Sequence, residues 1–414
     1  MYLQEQSTVY SRPHPRSIPR SRILGLRGLT TIGAGEDLAA AASRLRPGDT
    51  LQLGGGTYTQ GLINAIPGGS SWSAPVTIEA APGARPILRP RGGTSVIWFG
   101  DASQRYIVLK NLVIDASGVE RDGIKITYSD GNNKADCAHH IRVAGCEITG
   151  ARNQGIYVGA ANYGGDNEFL GLNVHHNGVD HLTHGIYVTG SRNLIQDCVF
   201  ASNAGYGVHL YDSADEQVNN NIVRRNRIYN NGNFGIVASS GSGSIIERNL
   251  IYSNRAGGVQ VSHHSVRNVQ IVLNTIVDNS GPGILLTSAD TANENHVVEK
   301  NIISGNSGGA IQNSSKGTRI QGNCENPEFS DNDFHTRAGS CDGAGAYGQG
   351  GASLPPPITG GGGGGSGAGS GGGQPPPGAG EDVFGTPGTS SASSEIGVPL
   401  LVGGVLIAAL LLGD

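Results

Sequence analysis

CVFASN at 198–203, NRIYNN at 226–231, NLIYSN at 249–254, NTIVDN at 274–279 and NIISGN at 301–306 are five copies of one phrase. Each opens on Asn or Cys, carries an aliphatic or aromatic residue two places on, and closes on Asn. The closing asparagines stand 28, 23, 25 and 27 residues apart. A second phrase travels with the first, a glycine followed by two alternating apolar positions: GIYV at 155–158 and 185–188, GVHL at 207–210, GIVA at 235–238, GVQV at 258–261 and GILL at 283–286. A unit of about 25 residues that holds short β-branched strands, separated by Gly and Asn and not by helical stretches, suits a stack of parallel β-coils.

The recurring Asn has two expected jobs in such a stack. It tolerates the left-handed dihedrals of a tight bend, and at a rise of roughly 4.8 Å per coil its side-chain amide can bond its equivalent in the next coil. Composition agrees, with Gly 68 of 414 residues, 5% aromatic residues and a single Met. Helix is expected in one place, the amphipathic EDLAAAASRL at 36–45, where it would cap the open first coil and block edge pairing. The reading is an all-β solenoid, a parallel β-helix of about ten coils.

Strand alternation says which side chains face solvent. In GIYV the Ile and Val point inward and the Tyr outward. Aligning the glycines gives an outward column of Lys125, Tyr157, Tyr187, His209, Val237, Gln260 and Leu285, and a second of Thr127, Gly159, Thr189, Tyr211, Ser239 and Ser262. GVDHLTHGIY, just before the Tyr187 strand, brings Asp180, His181 and His184 to the rim of the patch. Lys125, His181, His184, Tyr187 and His209 are therefore the candidate catalytic residues, and Tyr157, Tyr211 and Asp180 the candidate substrate contacts. Proton abstraction beside a carboxylate needs a base, an acid and an offsetting cation, and Tyr, His and Lys supply all three roles. The plainer reading of Tyr157 and Tyr187 is an aromatic stack on a sheet face, and that of YDSADE at 211–216 is a solvated turn.

RPGDTLQLGGGTYT from Arg46, VTIEA from Val76 and YIVLKNLVID from Tyr106 resemble the opening of secreted members of the right-handed parallel β-helix, pectin-lyase-like superfamily, with PbH1-type repeats over about 31–332. The superfamily includes lyases, epimerases, hydrolases and silent adhesins. The resemblance implies a polysaccharide lyase or epimerase acting on an acidic, uronate-containing polysaccharide, with Ca²⁺ held by acidic side chains. Asp212, Asp215 and Glu216 are the nearest acidic cluster. His184-Gly185 lacks the paired-Asp signature of polygalacturonase-like hydrolases, which disfavours hydrolysis. Asp180-His181 resembles the Asp-His of pectate lyases without their Arg-rich companion motif, and the Asp-Pro-His of mannuronan epimerases is absent. A non-catalytic carbohydrate-binding or adhesin-like surface protein is the alternative.

The ends are different material. Residues 1–30 are rich in Arg and Pro, with no apolar run of signal-peptide length, and read as an extension or a misplaced start; 31–342 form the β-helix domain. Residues 343–395 are a Gly, Ser and Pro linker, and 396–414 an apolar tail that matches a glycolipid-anchor signal or a membrane anchor. Extracellular or cell-surface placement follows, with membrane contact only through that tail and a monomeric domain. Cys137 with Cys146 and Cys324 with Cys341 are spaced to close loops as disulfides, leaving Cys198 as a buried free thiol. A net charge of −5 without a basic stripe excludes a nucleic-acid partner.

Overall fold

Three short strands recur in every coil, and each stacks on its equivalent one coil away. The computed structural model describes residues 28–357, apart from 129–132, 161–162, 213–216, 263–264, 288–292, 332, 338, 340, 342 and 348–353. Residues 1–27, the apolar tail and most of the linker lie outside the described residues, as do Asp215, Glu216, His263 and His264. In the order the chain visits them, the three sheets have 12, 11 and 10 strands. The strands pair in parallel throughout, for example Phe169 with Ile195, Phe200 with Ile228 and Ile186 with Val208.

The first and second sheets each send the middle residue of a three-residue strand inward, and the third sends both flanking residues. Ile195, Phe200, Ile186 and Val188 of one coil are all 0% exposed. Every coil adds such a ring to one continuous core. The expected cap is present as the helix Leu38–Ser43, with the Asp37 carboxylate accepting from the Ala40 N–H at 3.0 Å and Leu38 and Ala42 buried.

The asparagines form ladders. Asn249 Oδ1 accepts both the backbone N–H and the side-chain amide of Asn226, at 3.0 and 2.9 Å. Its own amide donates at 2.9 Å to Asn274 Oδ1 and at 2.9 Å to the Val223 carbonyl. The same pattern links Asn177, Asn203, Asn231, Asn254, Asn279 and Asn306 in the turn after the second sheet. The dihedral half of the expectation is corrected. The left-handed residue is the one before each ladder Asn: Arg225, Arg248, Leu273 and Lys300 have φ of 53°, 54°, 58° and 53°. An Asn in that place could not also aim its amide along the stack, so the bend accepts the cost of a left-handed non-glycine residue, about 1–2 kcal/mol.

The repeated glycine is required by proximity, since a Cβ on Gly185 would sit 2.7 Å from the Gly207 carbonyl oxygen and 2.8 Å from Asn203 Nδ2.

One disulfide is corrected. Cys324 and Cys341 are bridged, but Cys137 and Cys146 are free and buried. The strand His139–Ala144 lies between them and spans roughly 20 Å, far beyond the reach of a disulfide. Cys146 and Cys198 occupy ladder positions, where each sulfur accepts a backbone N–H, from Leu112 and Leu172. After Cys324 the chain returns over the second sheet. Ala346 N–H donates to Thr275 Oγ1 at 3.0 Å, and the Pro355 carbonyl accepts from Arg227 Nε at 2.7 Å, so packing continues past residue 342.

Candidate functional site

The outward column of the third sheet stands in the expected register: Lys125 pairs with Tyr157, Tyr157 with Tyr187, Tyr187 with His209 and His209 with Val237. Strand spacing puts the rings in contact. Tyr157 and Tyr187 have centroids 5.6 Å apart, the His209 ring stacks on Tyr187 at 4.9 Å and 15°, and Tyr211 stacks on His209 at 5.4 Å and 11°.

His184 enters this patch from the preceding turn and is 3% exposed. Its Nδ1 accepts the Tyr206 backbone N–H at 3.1 Å, so the ring proton of the neutral form sits on Nε2. Nε2 lies 3.1 Å from His209 Nδ1. His184 therefore donates to His209, which in turn carries its own proton on Nε2. Burial pushes the His184 imidazole down to about 3, with Asp180 opposing and His181 adding to the shift. Tyr206 stacks on His184 at 4.7 Å. Gly205 leaves room for the ring, because a Cβ there would lie 2.5 Å from His184 Nδ1.

Two further groups hold the turn. His184 N–H donates to Gln154 Oε1 at 2.6 Å, and Gln154 N–H in turn donates to Asp122 Oδ1 at 3.0 Å. Burial raises the Asp122 carboxyl above its ordinary range. Lys125 Nζ lies 4.3 Å from the centre of the Trp98 ring, and burial lowers its pKa, with Asp122 opposing. Burial also pushes the Tyr157 phenol up to about 12 and raises Tyr187 and Tyr206. At neutral pH the patch offers protonated phenols, a neutral His184 imidazole and a lysine nearer to its neutral form than usual.

The sequence reading brings Lys125, Tyr157, His184, Tyr187, His209 and Tyr211 together as expected. It missed Trp98, Asp122, Gln154 and Tyr206. Trp98 lies outside both aligned phrases. Asp122, Gln154 and Tyr206 directly precede Gly123, Gly155 and Gly207, a position read only for His184. Asp180 and His181 stand at the rim, close enough to act on the His184 imidazole, and both also line a groove of about 520 Å³ that contains neither His184 nor His209.

Asp212 donates its N–H to Ser240 Oγ at 2.7 Å and sits near enough to raise the Tyr157 and Tyr187 phenols. Its partners in the expected Ca²⁺ cluster fall outside the described residues. Among the described residues no three His, Cys, Asp or Glu side chains converge to hold a metal, so no step below is routed through one.

A family model described as a right-handed beta helix region matches residues 161–334. No curated protein matches the sequence. Among solved structures, the pectate lyase Pel9A is 17% identical over 77% of this chain and 92% of that chain, with a TM-score of 0.57. The A-module of the Azotobacter vinelandii mannuronan C-5 epimerase AlgE4 is 19% identical over 68% of this chain and 90% of that chain, with a TM-score of 0.44. The PL6 family alginate lyase AlyGC is 18% identical over 74% of this chain and 53% of that chain, at 0.40. The chain is a right-handed parallel β-helix protein with the pectate lyase fold.

Proposed function

We propose that the third-sheet face removes the proton next to the carboxylate of a uronate residue in an acidic polysaccharide, as a lyase or an epimerase. The observation that carries this is the placement of a half-buried lysine of lowered pKa beside phenols of raised pKa in one register column. The Lys125 amine takes the C5 proton, and the carboxylate receives the developing charge. In elimination the C4–O bond then breaks, a C4=C5 double bond forms, and a Tyr phenol protonates the departing oxygen. In epimerisation the phenol returns a proton to the opposite face of C5. His209 Nε2–H, aligned by His184, is a donor for the carboxylate as charge builds on it. The fold shared with a pectate lyase supports this reading, and the Cys324–Cys341 disulfide supports an oxidising, extracellular setting.

The test is a proton NMR time course of the full chain with pectate, alginate and glycosaminoglycan, with and without Ca²⁺. Unsaturated uronate signals mark a lyase, and altered anomeric ratios an epimerase. Lys125→Ala and Tyr187→Phe should each lower kcat/KM by roughly 10²–10⁴ with the fold intact. The rising limb of the pH profile should lie below the ordinary lysine range, because Lys125 acts as the free amine. Unchanged spectra across the panel would transfer the face to a binding or adhesive role, and turnover indifferent to Lys125→Ala would remove it as the base.

A further inference from the structure

The groove that holds Asp180 and His181 adjoins the His184, Tyr206 and His209 cluster, but none of those three lines it. Its floor is built by the repeat. Ser202, Asn230 and Ser253 are equivalent residues of three successive turns after the second sheet, each held in the left-handed region with φ of 55°, 55° and 54°. They present a row of hydroxyl and amide groups one coil apart, over a length of roughly 10 Å.

One wall is the loop 178–183, and it is preformed. Thr183 Oγ1 accepts the N–H groups of Val179 and Asp180 at 2.8 and 3.0 Å and donates to the Asp180 carbonyl at 2.9 Å, while the Asp180 carboxylate accepts the Leu182 N–H at 2.9 Å. The loop sets Val179, 66% exposed, against the groove as an apolar surface. Arg255 is the one Lys or Arg among the lining residues.

A row of small polar groups, an apolar wall, one guanidinium and a carboxylate acceptor match the surfaces of a uronate sugar. Its ring has an apolar C–H face, its hydroxyls donate and accept, and its carboxylate forms a two-pronged pair with Arg. A phosphate polyanion would need more cations than the single Arg among the lining residues.

We infer that this groove is an additional subsite for acidic oligosaccharide, with the uronate carboxylate on Arg255, hydroxyls on Ser202, Asn230, Ser253 and Asp180, and the sugar's apolar face on Val179. It rests on the acidic-polysaccharide reading above and extends it to a second surface of the solenoid.

The test is calorimetric titration of the full chain with size-fractionated oligogalacturonate and oligomannuronate, and with the same oligomers after carboxyl reduction. Arg255→Gln should weaken binding of the better acidic oligomer about tenfold, the loss expected for one charge-assisted pair, and leave the carboxyl-reduced oligomer unaffected. Val179→Glu, on an exposed site where folding is not at risk, should weaken the acidic oligomer at least as much. Wild-type affinity in both variants, alongside a loss in Tyr187→Ala, would overturn the groove while leaving the third-sheet reading intact. A wild-type chain that binds none of the acidic oligomers would overturn both.

Discussion

Asn249→Leu is expected to destabilise the solenoid by about 3–5 kcal/mol, a large share of the stability of an ordinary domain. The Asn249 side chain is 0% exposed and joins three coils. Its removal takes the acceptor from the Asn226 N–H and side-chain amide, and the side-chain donor from Asn274 Oδ1 and the Val223 carbonyl. Leucine restores none of these, and water has no path to a site enclosed by neighbouring coils. Asn323 supplies the control. It ends the same ladder, accepting from Asn301 at 3.0 and 2.9 Å, but is half-buried, so water can replace part of what it provides. Asn323→Leu should cost about 1 kcal/mol. Urea denaturation midpoints of the two variants decide the matter. Equal losses would show that the ladder works as local capping and not as a continuous chain of buried amides.

The ladder also shows what could be read before the structure. A spacing near 25 residues and a period of two gave the coil, the inward rings and the outward column down to the pairing of Tyr187 with His209, because a parallel stack maps sequence equivalence directly onto contact. Roles set by the turn between strands were not legible. Nothing in the spacing says that Arg248 and not Asn249 takes the left-handed bend, or that Cys146 belongs to a ladder and not to a disulfide with Cys137. The His184 and His209 pair was foreseen as a neighbourhood only. Its direction of hydrogen bonding depends on the Tyr206 backbone N–H, and its support on Gln154 and Asp122; all three stand in the recurring place before the phrase glycine, but the residue type there changes from coil to coil, so the period fixes the place and not the role.

Acidification should destabilise the fold between pH 6.5 and 4 through two buried histidines. His184 is lowered to about 3 and His296 to about 4, in both cases mainly by burial, with Asp180 and Glu294 opposing. His296 is 1% exposed; its Nδ1 accepts the Val269 N–H at 3.2 Å and its Nε2 has no partner, so a proton there would be a buried, uncompensated charge. In this window the unfolded chain binds a proton at each histidine and the native chain does not. Stability therefore rises with pH, by about 1.4 kcal/mol per unit for each group. The full contribution is present above the unfolded pKa near 6.5 and lost progressively as pH falls, on the order of 5 kcal/mol by pH 4 for the pair. Between pH 5 and 6.5 Asp115, Glu147 and Asp197, which their partners hold below the usual range, stay ionised. His139, lowered by burial, adds a slope of the same sign, and Asp122, raised by burial, one of the opposite sign. His296→Asn keeps an acceptor for the Val269 N–H and removes the titrating ring, so denaturation midpoints measured at pH 5, 5.75 and 6.5 should show a slope smaller than wild type by up to about 1.4 kcal/mol per unit. An unchanged slope would mean that His296 takes up its proton in the native state as readily as in the unfolded one. The same logic keeps His184 uncharged wherever the fold survives, so loss of turnover on the acid side belongs to protonation of Lys125 and not to His184.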